Sequence, residues 1–347
     1  MTDMKYLITG GCGFTGSNFA TRLLDRGDAV ILLDNLSRRG AVANLNYLQK
    51  KYPKVEFVHA DIRADFDKIV RLMDEVDAAY HLAAQVAVTT SYKYPKEDFD
   101  TNALGTFNIL EAIRRSERKP LIIYSSTNKV YGGMTDVEVA KEDNRYVYKD
   151  LPYGISEDKL LDFHSPYGCS KGVADQYVRD FSRMYDIKSV VMRQSCIYGR
   201  RQFGIEDQGW VAWFTIAAHL GKPITIFGDG MQVRDVLYVD DLFDAWDMAT
   251  KNIDKVSGKI YNVGGGPSNS MSLLELLEML EKLLEKKIDY SFDEWRPGDQ
   301  PIYISDIRKI EKELGWKPET TPQEGVKLMA DWIVANSELI EKHLASK

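Results

Sequence analysis

Continuous apolar runs alternate with helical stretches along the first half of the chain, and that alternation narrows the fold more than any other feature. "YLITG" reads as a strand, and "GSNFATRLLDRG" as a helix closed by Gly27 as its C-terminal cap. "AVILLDN", "VEFVHAD" and "DAAYHLAA" continue as the second, third and fourth strands. "NALGTFNILEAIRRS" is a helix, "PLIIYSS" the next strand, and a helix near 166–185 leads into "KSVVMRQS". Strands that are apolar throughout are buried on both faces, and repeated βα units set such strands in a parallel sheet with helices on each side. The reading is an α/β fold with a doubly wound parallel sheet. From Arg193 to about Arg234 the rhythm gives way to loop-like sequence, and "SLLELLEMLEKLLEKKI" then gives an amphipathic helix. We expect a nucleotide-fold domain from 1–192 plus about 236–263, and a smaller, partly interleaved C-terminal lobe from about 193–235 plus 264–347.

Charge and composition remove several function classes. With 45 basic and 52 acidic residues the net charge is -7, so no basic surface for nucleic acid or membrane is indicated. No apolar stretch approaches the roughly 20 residues of a membrane span, and the opening "MTDMKYLITGG" reads as no signal peptide. Cys12, Cys169 and Cys196 are scattered and odd in number, which fits a reducing cytoplasm. Metal-ligand spacings such as CxxC and HExxH are absent, and we expect no metal site.

The turn after the first strand carries the first chemistry. In "ITGGCGFTGSNFA", Gly11, Gly13 and Gly16 match GxGxxG, while Gly10, Gly13 and Gly16 give GxxGxxG. Glycines there let the backbone turn tightly and approach a pyrophosphate, to which the helix N-terminus offers N–H groups. The second strand ends at Asp34, about 18 residues past Gly16, where a carboxylate accepts from a ribose 2′-hydroxyl and repels a 2′-phosphate. NAD is therefore expected rather than NADP, although Arg38 and Arg39 lie close by. Asp61 in "HAD" is placed beside the adenine, and small Ala83 and Ala84 in "HLAAQ" let a cofactor approach the backbone. His81 reads as a packed strand histidine.

A second site is written in "SPYGCSKGVADQY". Ser165 is the expected N-cap and Pro166 the first helical residue, so Tyr167 and Lys171 fall at i and i+4 on one face. The YxxxK spacing alone says little, since Tyr47–Lys51 and Tyr92–Lys96 match it too. Only Tyr167–Lys171 follows a hydroxyl-rich strand end, "SSTNKVYG", by about 40 residues. A phenol near pKa 10 needs roughly 4 kcal/mol of differential stabilisation to act as a base near neutrality. One nearby cation shifts it by about 1–3 units, so Lys171 together with a positive nicotinamide is the expected means. Thr127 would hydrogen-bond the same substrate oxygen.

Taken in order, "TGGCGFTG", "SSTNKVYG", "YGCSK" and "FGDGMQVRDVLYVDD" resemble the extended short-chain dehydrogenase/reductase superfamily over essentially the whole chain. "STNKVYG", "SPYGCSKGVADQY" and "RRQFGIEDQGWVAWF" look most like its CDP-hexose 2-epimerase branch, of the CDP-paratose/CDP-tyvelose type. The resemblance implies a Rossmann-like fold, a tightly held NAD regenerated each turnover, and Thr127, Tyr167 and Lys171 as catalytic residues. For the cofactor it implies Gly10, Gly13, Phe14, Thr15 and Gly16 at the phosphates, and Asp34, Asn35, Ser37 and Arg38 at the ribose side. Asp61, Ile62, Leu82, Ala83, Ala84 and Gln85 follow at the third and fourth strand ends, with Asn102, Ser125 and Gln194 completing the set. Substrate contacts carried over are Thr89, Ser126, Asn128, Gln202, Gln208, Arg234, Arg296 and Asp299, with Asp299 accompanying the diphosphate-clamping Arg296. Cys196 stands where superfamily members often carry Asn. The relatives also imply a homo-oligomer, dimer or tetramer.

Related dehydratases carry Thr-Asp-Glu at the hydroxyl-rich strand end, the acid and base that remove water after oxidation. Here the matching residues are Thr127, Asn128 and Lys129, which favours oxidation and re-reduction over elimination. The expectation is inversion at C2 of a CDP-hexose through a 2-keto sugar. A UDP-sugar 4-epimerase, a nucleotide-sugar 4,6-dehydratase and a non-catalytic NAD-binding sensor remain as rivals.

Overall fold

The computed structural model describes residues 4–296 and 298–345. They group into two compact units: 1–130 with 165–193 and 246–261, and 131–164 with 194–245 and 262–347.

The first unit is built on a seven-stranded sheet. Its strands are β1 (Lys5–Thr9), β2 (Ala29–Asp34), β3 (Glu56–His59), β4 (Ala78–His81), β5 (Leu121–Thr127), β6 (Ser189–Gln194) and β7 (Lys259–Val263), in the order β7-β6-β5-β4-β1-β2-β3. β1 pairs parallel with both β2 and β4, β2 with β3, and β4 with β5, as the uninterrupted apolar runs require. Leu7, Ile31, Ala79, Ile122 and Val191 meet Ile109, Ile113, Val178 and Phe181 of the covering helices in one buried cluster. Elsewhere in this unit Phe19, Tyr80 and Trp246 pack together, with ring centroids 4.5–5.4 Å apart. The order reverses between β1 and β4, and in open α/β sheets that switch point opens a crevice beyond the strand C-termini.

The second unit is irregular by comparison. Its strand Val233–Tyr238 pairs antiparallel with Ser270–Ser272 and parallel with Ile302–Tyr303 and Cys196–Tyr198. The expected amphipathic helix runs Leu273–Leu284, started by a capping box between Ser272 and Glu275. It stops short of the apolar pattern because Glu285 turns left-handed at φ 50° and Ile288 N–H bonds back to the Glu281 carboxylate. The grouping differs from the sequence expectation at 131–164 and 236–245, which fall in this unit. The hairpin Val139–Glu142/Arg145–Tyr148 is tied to Met231, and Ile155 bridges to Ser305, so this excursion finds its partners far along the chain.

No helix among the described residues is long and apolar enough to cross a membrane. No group of three or more His, Cys, Asp or Glu among them is arranged to hold a metal ion.

Candidate active site

The glycine turn follows β1 at the switch point. Gly10 takes φ +68°, and a Cβ there would lie 2.8 Å from the backbone N of Ala83, so the turns after β1 and β4 touch through bare backbone. A Cβ on Gly16 would lie 2.3 Å from the Gly10 carbonyl oxygen. The helix Phe14–Asp25 begins at Gly13 with no side-chain cap and no acidic residue in its first turn. Its leading N–H groups, Phe14 and Thr15 among them, therefore have no capping side chain and suit an anion. Asp34, 7% exposed, accepts from Cys12 N–H (3.0 Å) and Leu36 N–H (2.8 Å), one bond on each carboxylate oxygen. Each oxygen keeps lone-pair capacity for a ribose hydroxyl. Glycines that no side chain can replace, an uncapped helix start and a held carboxylate together fit a dinucleotide. Gly11, a member of the GxGxxG match, closes this cradle with Cys12, which the motif reading left unassigned: a Cβ on Gly11 would sit 2.8 Å from the Ile8 carbonyl.

Beside it, Asn35 donates to Asp61 (3.1 Å), while Arg63 grips Asp61 and holds its carboxyl down at about 2. Ser37 N–H bonds Asn35, and Ser37 and Arg38 are exposed. Ile62 packs against the position a Cβ on Gly105 would occupy, at 2.5 Å. Leu82 and Ala83 N–H both donate to the Thr9 hydroxyl at 3.2 Å, with Ala84 following half-buried. His81 is 1% exposed, bonded to Thr9 and Thr106 through its two ring nitrogens and pushed down to about 3 by burial; it is packed and neutral, as expected.

The tyrosine–lysine pair lies on the helix Pro166–Tyr185, capped as predicted by Ser165, whose hydroxyl accepts from Gly168 N–H at 2.9 Å. A Cβ on Gly168 would lie 3.1 Å from the Lys129 carbonyl, so the glycine after Tyr167 lets the helix start close against the end of β5. Lys171 Nζ donates to the Ser125 carbonyl at 2.6 Å and stands 4.4 Å above the Tyr124 ring. Thr127 hydrogen-bonds the Tyr167 phenol and also reaches Asn128 Oδ1 at 3.3 Å. Thr127, Tyr167, Lys171 and Ser125 are thus brought together.

Burial drives the pair in opposite directions. Tyr167 is pushed up to about 12 by burial, against the pull of Thr127 and the Arg38 charge, and Asp98 raises it further. Lys171 is pushed down to about 7 by burial, with Asp175 and Asp98 holding it up. The phenol thus starts further from neutrality than the ordinary tyrosine value taken from the sequence.

Other candidates are engaged differently. Ser126 donates to the buried Asp175 at 2.7 Å, behind the strand tip, and Asp175 forms a two-bond ion pair with Arg193 at 2.9 and 3.0 Å. Gln85 and Asn102 bond each other through backbone and side chain, at 2.9 and 3.0 Å, and both donate to Asp98. The Thr89 hydroxyl is buried and finds no hydrogen-bond partner among the described residues, as a group waiting for a polar ligand does. Gln194 closes β6, half-buried.

In the second unit Arg234 pairs with Asp299 at 2.6 Å, so Asp299 accompanies Arg234 rather than Arg296. Arg296 lies over the Phe227 ring at 3.9 Å and binds Asp207 and the Glu206 carbonyl. Gln202 donates to the Ile197 carbonyl at 3.3 Å while its own oxygen is buried with no partner among the described residues, and Gln208 bridges to Ile205.

A family model described as GDP-mannose 4,6 dehydratase matches residues 7–329. The CDP-paratose 2-epimerase of Salmonella typhi is 46% identical over 336 residues, covering 95% of this chain and 99% of that protein. Among solved structures, the UDP-glucose 4-epimerase of Thermotoga maritima with UDP-glucose is similar with a TM-score of 0.82 and 31% identity, over 96% of this chain and 100% of that one. The UDP-glucuronic acid 4-epimerase of Bacillus cereus, in complex with UDP-glucuronic acid and NAD, is similar with a TM-score of 0.82 and 28% identity, over 96% and 99%.

Proposed function

Because the chain belongs to the GDP-mannose 4,6-dehydratase family of extended short-chain dehydrogenases/reductases, we propose that it is an NAD-dependent nucleotide-sugar epimerase that inverts C2 of a CDP-hexose, of the CDP-paratose/CDP-tyvelose type. The observation that carries this reading is the strand tip itself. Thr127 sits on the Tyr167 phenol, and the next two residues are Asn128 and Lys129. Elimination of water needs an acid and a base there; oxidation followed by re-reduction needs neither. The 46% identity to a CDP-paratose 2-epimerase supports the same reading.

Gly10, Gly13 and Gly16 would hold the pyrophosphate and Asp34 the adenosine ribose. NAD bound there supplies the hydride acceptor and returns the hydride, so no external reductant is needed. Tyr167 takes the proton of the C2 hydroxyl at its phenol oxygen and hands it back after the keto sugar has turned over. Lys171 keeps a positive charge beside the pair, and Thr127 orients the reacting oxygen. Arg234, Arg296, Gln202, Gln208, Thr89 and Asn128 are the proposed substrate contacts. The exposed Phe107, Tyr177, Met184 and Tyr185 on two helices of the first unit support a homo-oligomer; sedimentation as a monomer at micromolar concentration would count against it.

The deciding experiment incubates the purified protein with CDP-, UDP- and GDP-hexoses in D2O and follows the sugar carbons by NMR. Inversion at C2 of the CDP-sugar without solvent deuterium is expected. A 4-keto-6-deoxy product carrying deuterium would make the chain a dehydratase, and inversion at C4 a 4-epimerase. Gly16→Ala gives a second check: its methyl meets the Gly10 carbonyl, and the forced shift, about 1–3 kcal/mol, falls on the phosphate turn. The variant should be purified with a small fraction of the wild-type NAD content; full occupancy would dismiss the turn as the cofactor site.

A further inference from the structure

Asp98 lies in "PKEDF", a stretch whose charges suggest a solvated turn, yet its residue is 0% exposed. Three donors converge on it: Ser170 Oγ at 2.5 Å, Gln85 Nε2 at 2.8 Å and Asn102 Nδ2 at 3.2 Å. Burial pushes this carboxyl up, and the bonds from Ser170 and Gln85 with the charge of Lys171 work against that push and favour the carboxylate. Asn102 stands on a π-helical turn, Asp100–Leu104, and shares its two amide hydrogens among Asp98, the Gln85 carbonyl and Ser170 Oγ, the last at 3.0 Å. Ser170 immediately precedes Lys171, and its hydroxyl also bonds the Tyr167 carbonyl at 3.2 Å.

We propose that Asp98 is a positioning residue for the Tyr167–Lys171 pair: its buried carboxylate, gripped by Ser170, Gln85 and Asn102, ties the start of the helix Pro166–Tyr185 to the π-turn and adds to Asp175 a second negative charge that keeps the Lys171 ammonium in place. This rests on the reading that Tyr167 is the base and Lys171 its cation. Lys171 is buried, and its ammonium contacts a carbonyl and an aromatic ring, neither of them a full counter-charge. A buried ammonium without a nearby anion loses its proton. The charged and titratable groups around the pair are few. Asp175 on the same helix, paired with Arg193, is the larger of the two negative charges acting on Lys171; His81 on β4 is neutral; Tyr124 on β5 offers only its ring face; Arg38 acts on Tyr167 from the turn after β2. Asp98 is the carboxylate in this set that no cation pairs directly among the described hydrogen bonds and ion pairs, and its field falls on both members.

Its charge favours the protonated form of both residues, so its removal must move both in one direction. In Asp98→Asn, Tyr167 gives up its proton more readily and Lys171 loses its own at lower pH. Both limbs of the pH profile of kcat/KM for the NAD-loaded enzyme should shift to lower pH by about 0.5–1 unit, and activity should fall on the alkaline side. Ultraviolet titration of the phenolate in NAD-loaded protein, with Tyr167→Phe as the blank, should shift the same way without reference to turnover. Ser170→Ala removes one bond but leaves the charge, so its limbs should stay within about 0.2 unit of wild type. Unmoved limbs in D98N, or equal shifts in S170A, would overturn the proposal. If neither D98N nor Asp98→Ser folds, Asp98 is a folding residue and the positioning role is likewise rejected. Loss of the base reading itself would show separately, as full activity in Tyr167→Phe.

Discussion

Tyr167→Phe is expected to lower the rate of C2 inversion by about 10²–10⁴-fold while leaving bound NAD at the wild-type level. Tyr167 is 8% exposed, and phenylalanine keeps its ring, so the packing under the helix start survives. Thr127 loses the phenol but retains Asn128 as an acceptor at 3.3 Å. What disappears is the oxygen proposed to take the proton. Burial has put that phenol at about 12, and making it a base near neutrality then takes roughly 7 kcal/mol of preferential phenolate stabilisation. Lys171 cannot supply all of it, because one adjacent cation is worth about 1–3 units and burial has brought the lysine itself down to about 7. On the proposed mechanism the cofactor's positive charge would supply the remainder, and the tyrosine would become a base only in the loaded enzyme. Retained nucleotide with lost turnover separates this role from a folding defect. Undiminished turnover in the variant would remove the phenol from the mechanism.

The parts of this site that could be read from sequence are those whose signal is local. Uninterrupted apolar runs announced a parallel sheet, Gly10 and Gly16 a turn that excludes side chains, and Ser165–Pro166 a helix start that puts Tyr167 and Lys171 on one face. The parts that escaped are long-range. Asp98 reads as a surface charge because it lies between Glu97 and Asp100; only the fold brings Gln85 and Ser170 onto it. The resemblance carries Ser126 over as a substrate contact, but its hydroxyl donates to Asp175, 49 residues on. Asp299 is three residues from Arg296 and still pairs with Arg234, since ion pairs follow space rather than sequence. The hairpin 139–148 shows no periodicity that would assign it to the second unit; its backbone bonds do.

The largest expected loss of stability comes from Asp175→Ala. Asp175 is 0% exposed and Arg193 2%, and the carboxylate receives two bonds from the guanidinium as well as Ser126 Oγ and Gln176 Nε2. Taking two charges out of water is unfavourable, and the pair persists because each charge neutralises the other. Removing one leaves a buried guanidinium without its counter-ion, which destabilises by about 3–5 kcal/mol. Asp175→Ala combined with Arg193→Met should recover most of that loss, because replacing both partners of a buried pair with apolar groups is often neutral. Urea denaturation of the two variants and the parent, all in the same NAD-loaded state, tests the contrast, since bound ligand shifts apparent stability by mass action. The single variant should also lose turnover beyond its instability, because Ser126 precedes Thr127 and is released from its anchor behind β5. If the single and double variants unfold at the same urea concentration, the penalty does not come from the stranded arginine, and the pair is not what fixes the strand end beneath Thr127.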